Sequence, residues 1–163
     1  MHFLTGIIVK DNMCDYSCDD ARLHANSVLE EYEGVVWDWY ENGSGRWSGE
    51  YGNGVFHATS RKFFDVLESL IESQKSSYEF SCKNLEDIDY YKNMYESKVI
   101  PDNGKDRGGL YLKWFADLVC GKFNSDSHIF DSDKYTSFIT DNMISEYRNE
   151  PKKYWLVLFD VHN

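Results

Sequence analysis

Two apolar segments lie near opposite ends of the chain, and they constrain the fold more than any other feature of the sequence. Residues 3–9 read Phe-Leu-Thr-Gly-Ile-Ile-Val, and residues 154–161 read Tyr-Trp-Leu-Val-Leu-Phe-Asp-Val. Both are rich in β-branched and aromatic residues, which favours strands. Because apolar side chains occupy successive positions, both faces of each strand are expected to be buried. We therefore predict that the two segments pair in the centre of one sheet.

Between these strands, the chain shows the apolar spacing of several helices. Ser17 and Asp20 form an S-x-x-D capping pattern, and Gly34 is placed to end the helix that follows. Further helices are expected after Ser60, after Asn84, over residues 109–120 and over residues 136–148. The polar, glycine-rich residues 99–109 indicate a loop. We predict an α+β fold with a mainly antiparallel sheet, the N- and C-terminal strands central and several helices packed on it, as a single domain over residues 1–163.

The charge of the chain is strongly acidic. Its 163 residues carry 28 Asp and Glu against 17 Lys and Arg, for a formal net charge of -11. Residues 1–60 hold much of the imbalance, with ten acids and three bases. Such a chain repels nucleic-acid phosphates and anionic lipids, so we expect no direct nucleic-acid binding, no membrane binding, and a protein with a basic surface as partner. The alternative is an acidic surface that only keeps the protein soluble.

The apolar segments are too short for a secretory signal core or a membrane span. We therefore expect a cytoplasmic protein. The four cysteines lack the paired spacing of zinc sites, since Cys14 and Cys18 stand four residues apart with no Cys–His pair after them. We expect no metal and no cofactor.

A segment rich in glycine and aromatic residues, 35–59, is the part of the sequence best suited to chemistry. Its pattern predicts a strand over residues 35–40, a glycine turn, and a returning segment over residues 46–51. One interpretation pairs Asp38 with Arg46 across this hairpin while the tryptophans pack in the core. The other places Arg46 between aromatic rings, where its forked guanidinium holds a carboxylate or phosphate. The candidate ligand-binding residues are then Asp38, Tyr40, Arg46 and His162.

Three short motifs stand out, reading Asp38-Trp39-Tyr40, then Gly45-Arg46-Trp47 and, on the last strand, Asp160-Val161-His162. In this order they resemble a family of uncharacterised small proteins from phages, prophages and plasmids, which carry a DWY-x-x-GGRW segment and a D-x-H ending. The chain departs from that pattern by one inserted residue, since Ser44 separates two glycines. The resemblance does not extend to residues 60–150. It implies a phage or mobile-element source, the host cytoplasm as location if a phage encodes the chain, a host protein with a basic surface as partner, and no reaction.

Two histidine patterns bear on catalysis. His57-Ala58-Thr59 matches one half of the paired motif of two-histidine phosphoesterases, whose two imidazoles act as acid and base. The nearest second half, His128-Ile129-Phe130, lacks the hydroxyl residue. Asp160 and His162 stand two apart on one strand, so their side chains share a face. Neither pattern assigns a catalytic residue, and we favour a protein that is not an enzyme.

Three functional hypotheses follow. The first is a phage or mobile-element accessory protein that binds and modulates or inhibits a host protein, such as a nucleic-acid-handling or defence factor, through an acidic, aromatic surface. The candidate contact residues are Glu30, Glu31, Glu33, Glu41, Glu50 and Tyr51. The second is a small-ligand-binding protein, or an enzyme, acting on an anionic or phosphate-bearing substrate at a pocket of Arg46 and His162. The third is a structural accessory protein without a small-molecule site.

Overall fold

The computed structural model describes residues 2–31, 39–86 and 127–162. Within these residues the strands are β1 (His2–Lys10), β2 (Trp39–Asn42), β3 (Val55–His57), β4 (Ser127–Asp131) and β5 (Tyr154–His162). The α-helices are α1 (Cys18–Glu30), α2 (Ser48–Tyr51), α3 (Arg61–Glu86) and α4 (Asp141–Asn149), with short 3-10 helices at Gly45–Trp47 and Pro151–Lys153.

The chain divides into two compact units, one formed by Met1–Gln74 with Asp126–Asn163 and the other by Lys75–Ser125. The first unit contains the sheet, α1, α2, α4 and the N-terminal part of α3. Of the second unit, the structure describes the C-terminal part of α3. The expectation of one domain over residues 1–163 stays a prediction.

The sheet has the strand order β2-β5-β1-β4, and β3 also pairs with β5, beside β2. β1 and β5 are antiparallel along their whole length, with His2 opposite His162 and Lys10 opposite Tyr154. The predicted α+β fold with the two terminal strands in the centre is therefore confirmed. β4, which the sequence analysis did not identify, runs parallel to β1 and makes the sheet mixed.

Helices cover both faces of the sheet, which explains why both faces of the central strands are apolar. On the first face, inward side chains of β1 and β5 pack against α3 and α4, in a core that includes Leu4, Leu156, Phe63 and Tyr147. On the second face, the alternate residues of the same strands pack against α1, through small side chains such as Ala21 that allow close approach. The two-residue period of a strand thus assigns each side chain of β1 and β5 to one of two cores.

The predicted start of α1 is confirmed. The Ser17 side chain accepts the backbone N–H of Asp20, and the Asp20 carboxylate accepts the backbone N–H of Ser17 at 2.8 Å, so both form a capping box. The helix ends at Glu30. Gly34, the predicted terminating residue, lies outside the described part of the chain.

Two predicted helix boundaries are wrong. Asn84 was expected to cap a new helix, but α3 continues from Arg61 through Asn84 to Glu86, because one asparagine only weakly disfavours a helix that its neighbours support. α4 was expected from residue 136 and begins at Asp141, where the Thr140 hydroxyl accepts the backbone N–H of Met143. The helix expected over residues 109–120 and the loop expected over residues 99–109 lie outside the described residues.

A buried carboxylate links β4 to α4. Asp131 is fully buried, and its Oδ2 accepts a hydrogen bond from the Tyr147 hydroxyl at 2.5 Å. Its Oδ1 accepts the backbone N–H groups of Asp133 and Lys134. Burial, followed by the hydrogen bond and the charge of Asp131, raises the pKa of Tyr147 above the ordinary tyrosine value of 10.0. The neutral tyrosine is therefore part of the folded state.

Replacing Tyr147 with phenylalanine is expected to lower the free energy of unfolding by about 1–3 kcal/mol at pH 7, because Asp131 then remains buried with one oxygen unpaired. Above pH 10.0 the unfolded chain releases the Tyr147 proton while the folded chain retains it, so the wild type loses stability as the pH rises. The variant lacks this contribution. Urea denaturation between pH 7 and pH 11 measures both effects, with the exposed Tyr135→Phe as control. Equal stabilities at pH 7 would show that the hydrogen bond contributes nothing.

Candidate functional site around Asp160

A buried carboxylate near the end of β5 organises the candidate site. Asp160 is 2% exposed. Its Oδ1 lies 2.7 Å from Nδ1 of His2, and its Oδ2 accepts the backbone N–H of Arg46 at 3.1 Å. The same Oδ2 lies 3.6 Å from Nε of Arg46. One carboxylate therefore fixes the position of an imidazole and of a guanidinium, one on each oxygen.

The strand register brings three rings together next to this carboxylate. His162 of β5 stands opposite His2 of β1 and opposite Trp39 of β2, so the three side chains project from the same face on adjacent strands. The Trp39 and His162 rings are stacked, with 5.0 Å between centroids and 10° between planes. His2 contacts both rings edge-on, at 5.3 Å from Trp39 and 5.1 Å from His162. We call Asp160, His2, Arg46, Trp39 and His162 the Asp160 site.

The segment that carries Arg46 is not the strand that the sequence predicted. Gly45–Trp47 forms a 3-10 helix and Ser48–Tyr51 a helical turn, so the hairpin expected over residues 35–51 is wrong in its second half. The reason is local backbone geometry, since Gly43 and Gly45 both have positive φ angles, of 83° and 45°. These angles turn the chain away from the extended conformation.

Gly45 also sets how closely the chain approaches the carboxylate. A Cβ atom at this position would lie 2.3 Å from the Asp160 Cβ and 2.5 Å from its Oδ2. Only a glycine allows the contact that places the Arg46 N–H on Asp160. The residue inserted relative to the resembling family, Ser44, is buried, and its hydroxyl donates to the carbonyl of Gly52 at 2.8 Å. The insertion is thus accommodated by an internal hydrogen bond.

Polar atoms of the Asp160 site remain available for a ligand. The Arg46 side chain is 53% exposed, and its guanidinium lies 5.7 Å from the centroid of the Trp47 ring. Within the described part of the chain, its two terminal nitrogens have no hydrogen-bond partner, and neither does Nε2 of His2. Guanidinium N–H groups are donors to carboxylate and phosphate oxygens, and so is an imidazole nitrogen that carries a proton. The terminal nitrogens of Arg46 are therefore donors of the kind that an anion accepts from.

A small cavity lies on the same face, beside the Asp160 site. Its volume is about 170 Å³. It is lined by Leu4, Trp47, Glu50, Tyr51, Ser69, Leu70, Ser73 and Ser127. Leu4 is the partner of Asp160 across the β1–β5 pairing, which places the cavity next to the carboxylate. Burial, and then the hydrogen bond with Glu50, raises the pKa of Tyr51, so this hydroxyl keeps its proton. The cavity thus places apolar surface and hydroxyl groups next to the Asp160 site.

The four ligand-binding residues predicted from the sequence do not all meet. Arg46 and His162 both lie at the Asp160 site, as described above. Tyr40 projects from the opposite face, where its ring packs edge-on against Phe159 and its hydroxyl donates to Asn26 of α1 at 3.0 Å. Asp38 lies outside the described residues. His2 was missed, because a single histidine at the start of a strand carries no motif.

The predicted partner-binding acids occupy two sides of the sheet. Glu30 and Glu31 are exposed at the C-terminal end of α1, on the second face. Glu41 is exposed and stands opposite Asp160 on β2. Glu50 is exposed on α2, next to the half-buried Tyr51, which packs on the core of the first face. Glu33 lies outside the described residues.

A shallow groove runs along the outer side of α1, and we call it the α1 groove. Its volume is about 430 Å³. The residues that line it are Tyr16, Asp20, Leu23, His24, Asn26, Ser27 and Glu30. Leu23 is 71% exposed, and the acids Asp20 and Glu30 line the groove with it. An apolar contact point with an acidic rim suits a basic partner.

The paired-histidine pattern does not assemble. His57 Nδ1 lies 2.6 Å from the Thr59 hydroxyl, and its Nε2 lies 3.1 Å from the carbonyl oxygen of Lys152. Both ring nitrogens are therefore hydrogen-bonded within the fold. His128 packs against Phe3, and burial lowers its pKa. The strand register separates the two histidines by three strand spacings and four residues, about 20 Å. They cannot act on one phosphate.

Two further properties limit the kinds of site. None of the helices in residues 2–31, 39–86 and 127–162 combines the length and the apolar character needed to cross a bilayer. Over the same residues, no group of three or more His, Cys, Asp or Glu side chains is placed to hold a metal ion.

Comparison of the chain with protein-family models, with curated proteins and with solved structures finds no match.

Proposed function

We propose that the protein binds an anionic, phosphate-bearing small molecule at the Asp160 site. The observation that carries this proposal is the pairing of one buried carboxylate with both His2 and Arg46. Asp160 orients both groups, and the half-exposed Arg46 side chain keeps its terminal nitrogens accessible. Such preorganisation favours binding, because the groups do not lose side-chain freedom when the ligand arrives.

The negative charge of Asp160 does not prevent anion binding at this site. One Asp160 oxygen is paired with His2 and the other with Arg46, so both are already engaged by groups of the protein. The terminal nitrogens of Arg46 form a forked pair of donors, in the geometry that phosphate oxygens accept. Glu41, the acid opposite Asp160, is exposed, so water and salt screen it.

Replacing Arg46 with glutamine is expected to weaken the binding of inorganic phosphate or pyrophosphate by roughly 10- to 100-fold, because a charge-assisted bond contributes about 1.5–3 kcal/mol. Isothermal titration calorimetry measures this change. Arg61→Gln is the matched control, since Arg61 is an exposed arginine on α3 whose side chain pairs only with Asp65 among the described residues. Equal affinities of the wild type and the Arg46 variant, or no binding by the wild type at millimolar phosphate, would refute the proposal.

A second candidate function has its own observation. We propose that the chain acts as a phage or mobile-element accessory protein that binds and modulates or inhibits a host protein with a basic surface, for which a nucleic-acid-handling or defence factor is the natural class. The α1 groove supports it, with the exposed Leu23 between the acids Asp20 and Glu30. The proposed phage or mobile-element source rests on the motifs around Trp39, Arg46 and Asp160, which resemble those of a family of small phage, prophage and plasmid proteins.

The host-binding proposal predicts a complex that forms at low salt and dissociates as the salt concentration rises. Capture from host lysate on immobilised protein, at several salt concentrations, tests this directly. Leu23→Ser is expected to abolish the capture, whereas Phe138→Ser, at an exposed residue on the segment before α4, leaves it intact. A captured protein that resists salt and ignores Leu23→Ser would not be the partner proposed here.

A further inference from the structure

Trp39 stands beside Arg46 and His2 at the Asp160 site and is partly exposed, although two histidine rings pack against it. Trp39 is 39% exposed, although large aromatic residues usually bury most of their surface. One of its faces stacks on His162, which holds the indole plane in a fixed orientation. His2 supports it from the side. A tryptophan that is held by its neighbours yet open to solvent is a platform for another flat ring.

The platform and the anion-binding atoms are close enough for one small molecule. Trp39 stands opposite His162, and Asp160 lies two residues before His162 on the same face of β5. Two residues along a strand span about 7 Å. His2 contacts the Trp39 ring and the Asp160 carboxylate at once, so it joins the two parts of the site. This separation matches that between the phosphate and the base of a mononucleotide.

We propose that the ligand of the Asp160 site is a nucleoside monophosphate. Its phosphate accepts hydrogen bonds from Arg46 and, when the His2 ring carries a proton on both nitrogens, from Nε2 of His2, and its base stacks on Trp39. The inference rests on the proposed function and deepens it by naming the ligand class. A single nucleotide fits this chain better than a nucleic acid, because a formal net charge of -11 repels a strand of many phosphates whereas one phosphate needs one cationic site.

The test compares three ligands that differ by one part each. Inorganic phosphate tests the anion site, ribose 5-phosphate adds the sugar, and adenosine 5′-monophosphate adds the base. Calorimetry on the wild type is expected to give an affinity for the nucleotide that exceeds the affinity for ribose 5-phosphate by roughly 5- to 100-fold, which is the range of one base stacked on an aromatic ring.

Two variants assign that gain to Trp39. Trp39→Leu is expected to bind the nucleotide no better than ribose 5-phosphate, because the gain from the base then has no ring to stack on. Trp39→Phe keeps a ring and is expected to retain part of the gain, which guards against a loss caused by misfolding. Phe138→Leu, at a distant exposed aromatic residue, is the matched control and is expected to behave as the wild type.

The outcomes separate this inference from the function on which it rests. Phosphate binding that depends on Arg46, with equal affinities for ribose 5-phosphate and the nucleotide, would overturn the nucleotide assignment and leave the anion site standing. A nucleotide gain that survives in Trp39→Leu would also overturn it, because the base would then lie elsewhere. Absence of binding by all three ligands would overturn both proposals.

Discussion

A Gly45→Ala variant is expected to lose anion binding at the Asp160 site and about 2–4 kcal/mol of stability. The added methyl group would lie 2.3 Å from the Asp160 Cβ, a separation that forces the backbone or β5 to move. The φ angle of 45° adds the strain of a left-handed conformation for alanine. Both effects pull the Arg46 N–H away from Asp160. Chemical denaturation and phosphate calorimetry measure the two losses.

The same segment provides a matched control for this substitution. Gly49 belongs to α2, and a Cβ atom there would meet no atom within 4 Å. Gly49→Ala is therefore expected to leave binding unchanged and to raise stability by about 0.5–1 kcal/mol, as alanine does in a helix. If Gly45→Ala behaves like Gly49→Ala, the close contact with Asp160 does not exist in solution and the geometry of the site is wrong.

Replacing Asp160 with alanine is expected to have the second large effect. The variant leaves the backbone N–H of Arg46 and Nδ1 of His2 without their shared partner at a partly buried position. Breaking such a pair costs about 2–4 kcal/mol here, less than for a fully enclosed pair because the Arg46 side chain reaches water. Anion binding should fall at least tenfold, since neither donor is then held in place. Denaturant titration and calorimetry report the two changes separately.

A second substitution of Asp160 separates the effect of the side-chain shape from the effect of its charge. Asp160→Asn keeps the shape and can accept one hydrogen bond through its amide oxygen. We expect it to recover part of the stability that Asp160→Ala loses, while His2 and Arg46 are less well oriented. If both variants bind phosphate as tightly as the wild type, Asp160 is not a positioning residue for this site.

The central strands of the sheet could be predicted because both ends of the chain carry apolar runs that must be buried on two faces. Residues buried on both faces belong in the middle of a sheet, and β1 and β5 occupy those places. β4 escaped prediction because its five residues, Ser127 to Asp131, mix polar and apolar side chains without a clear alternation. Parallel pairing with a strand far away in sequence leaves no local signal.

The candidate site could be predicted only in part, and the reasons differ by residue. Arg46 and His162 were expected at one site. Arg46 pairs with Asp160, and His162 lies two residues after Asp160 on the same face of β5. Tyr40 follows Trp39 directly, and adjacent residues of a strand face opposite sides, so the two could not share a site. His2 depends on the pairing of β1 with β5, which no local pattern specifies. The turn at Gly45 depends on a positive φ angle, which the sequence pattern does not predict.

The measurement that tests the central claim most directly is a magnetic-resonance titration of the wild-type protein with phosphate, following side-chain signals of His2, Arg46 and Trp39. The account predicts saturable shifts at the His2 imidazole and the Arg46 guanidinium that disappear in Arg46→Gln, with the signals of the distant His57 unmoved. Shifts spread over many surface cations, or identical shifts in that variant, would show that phosphate has no specific place beside Asp160.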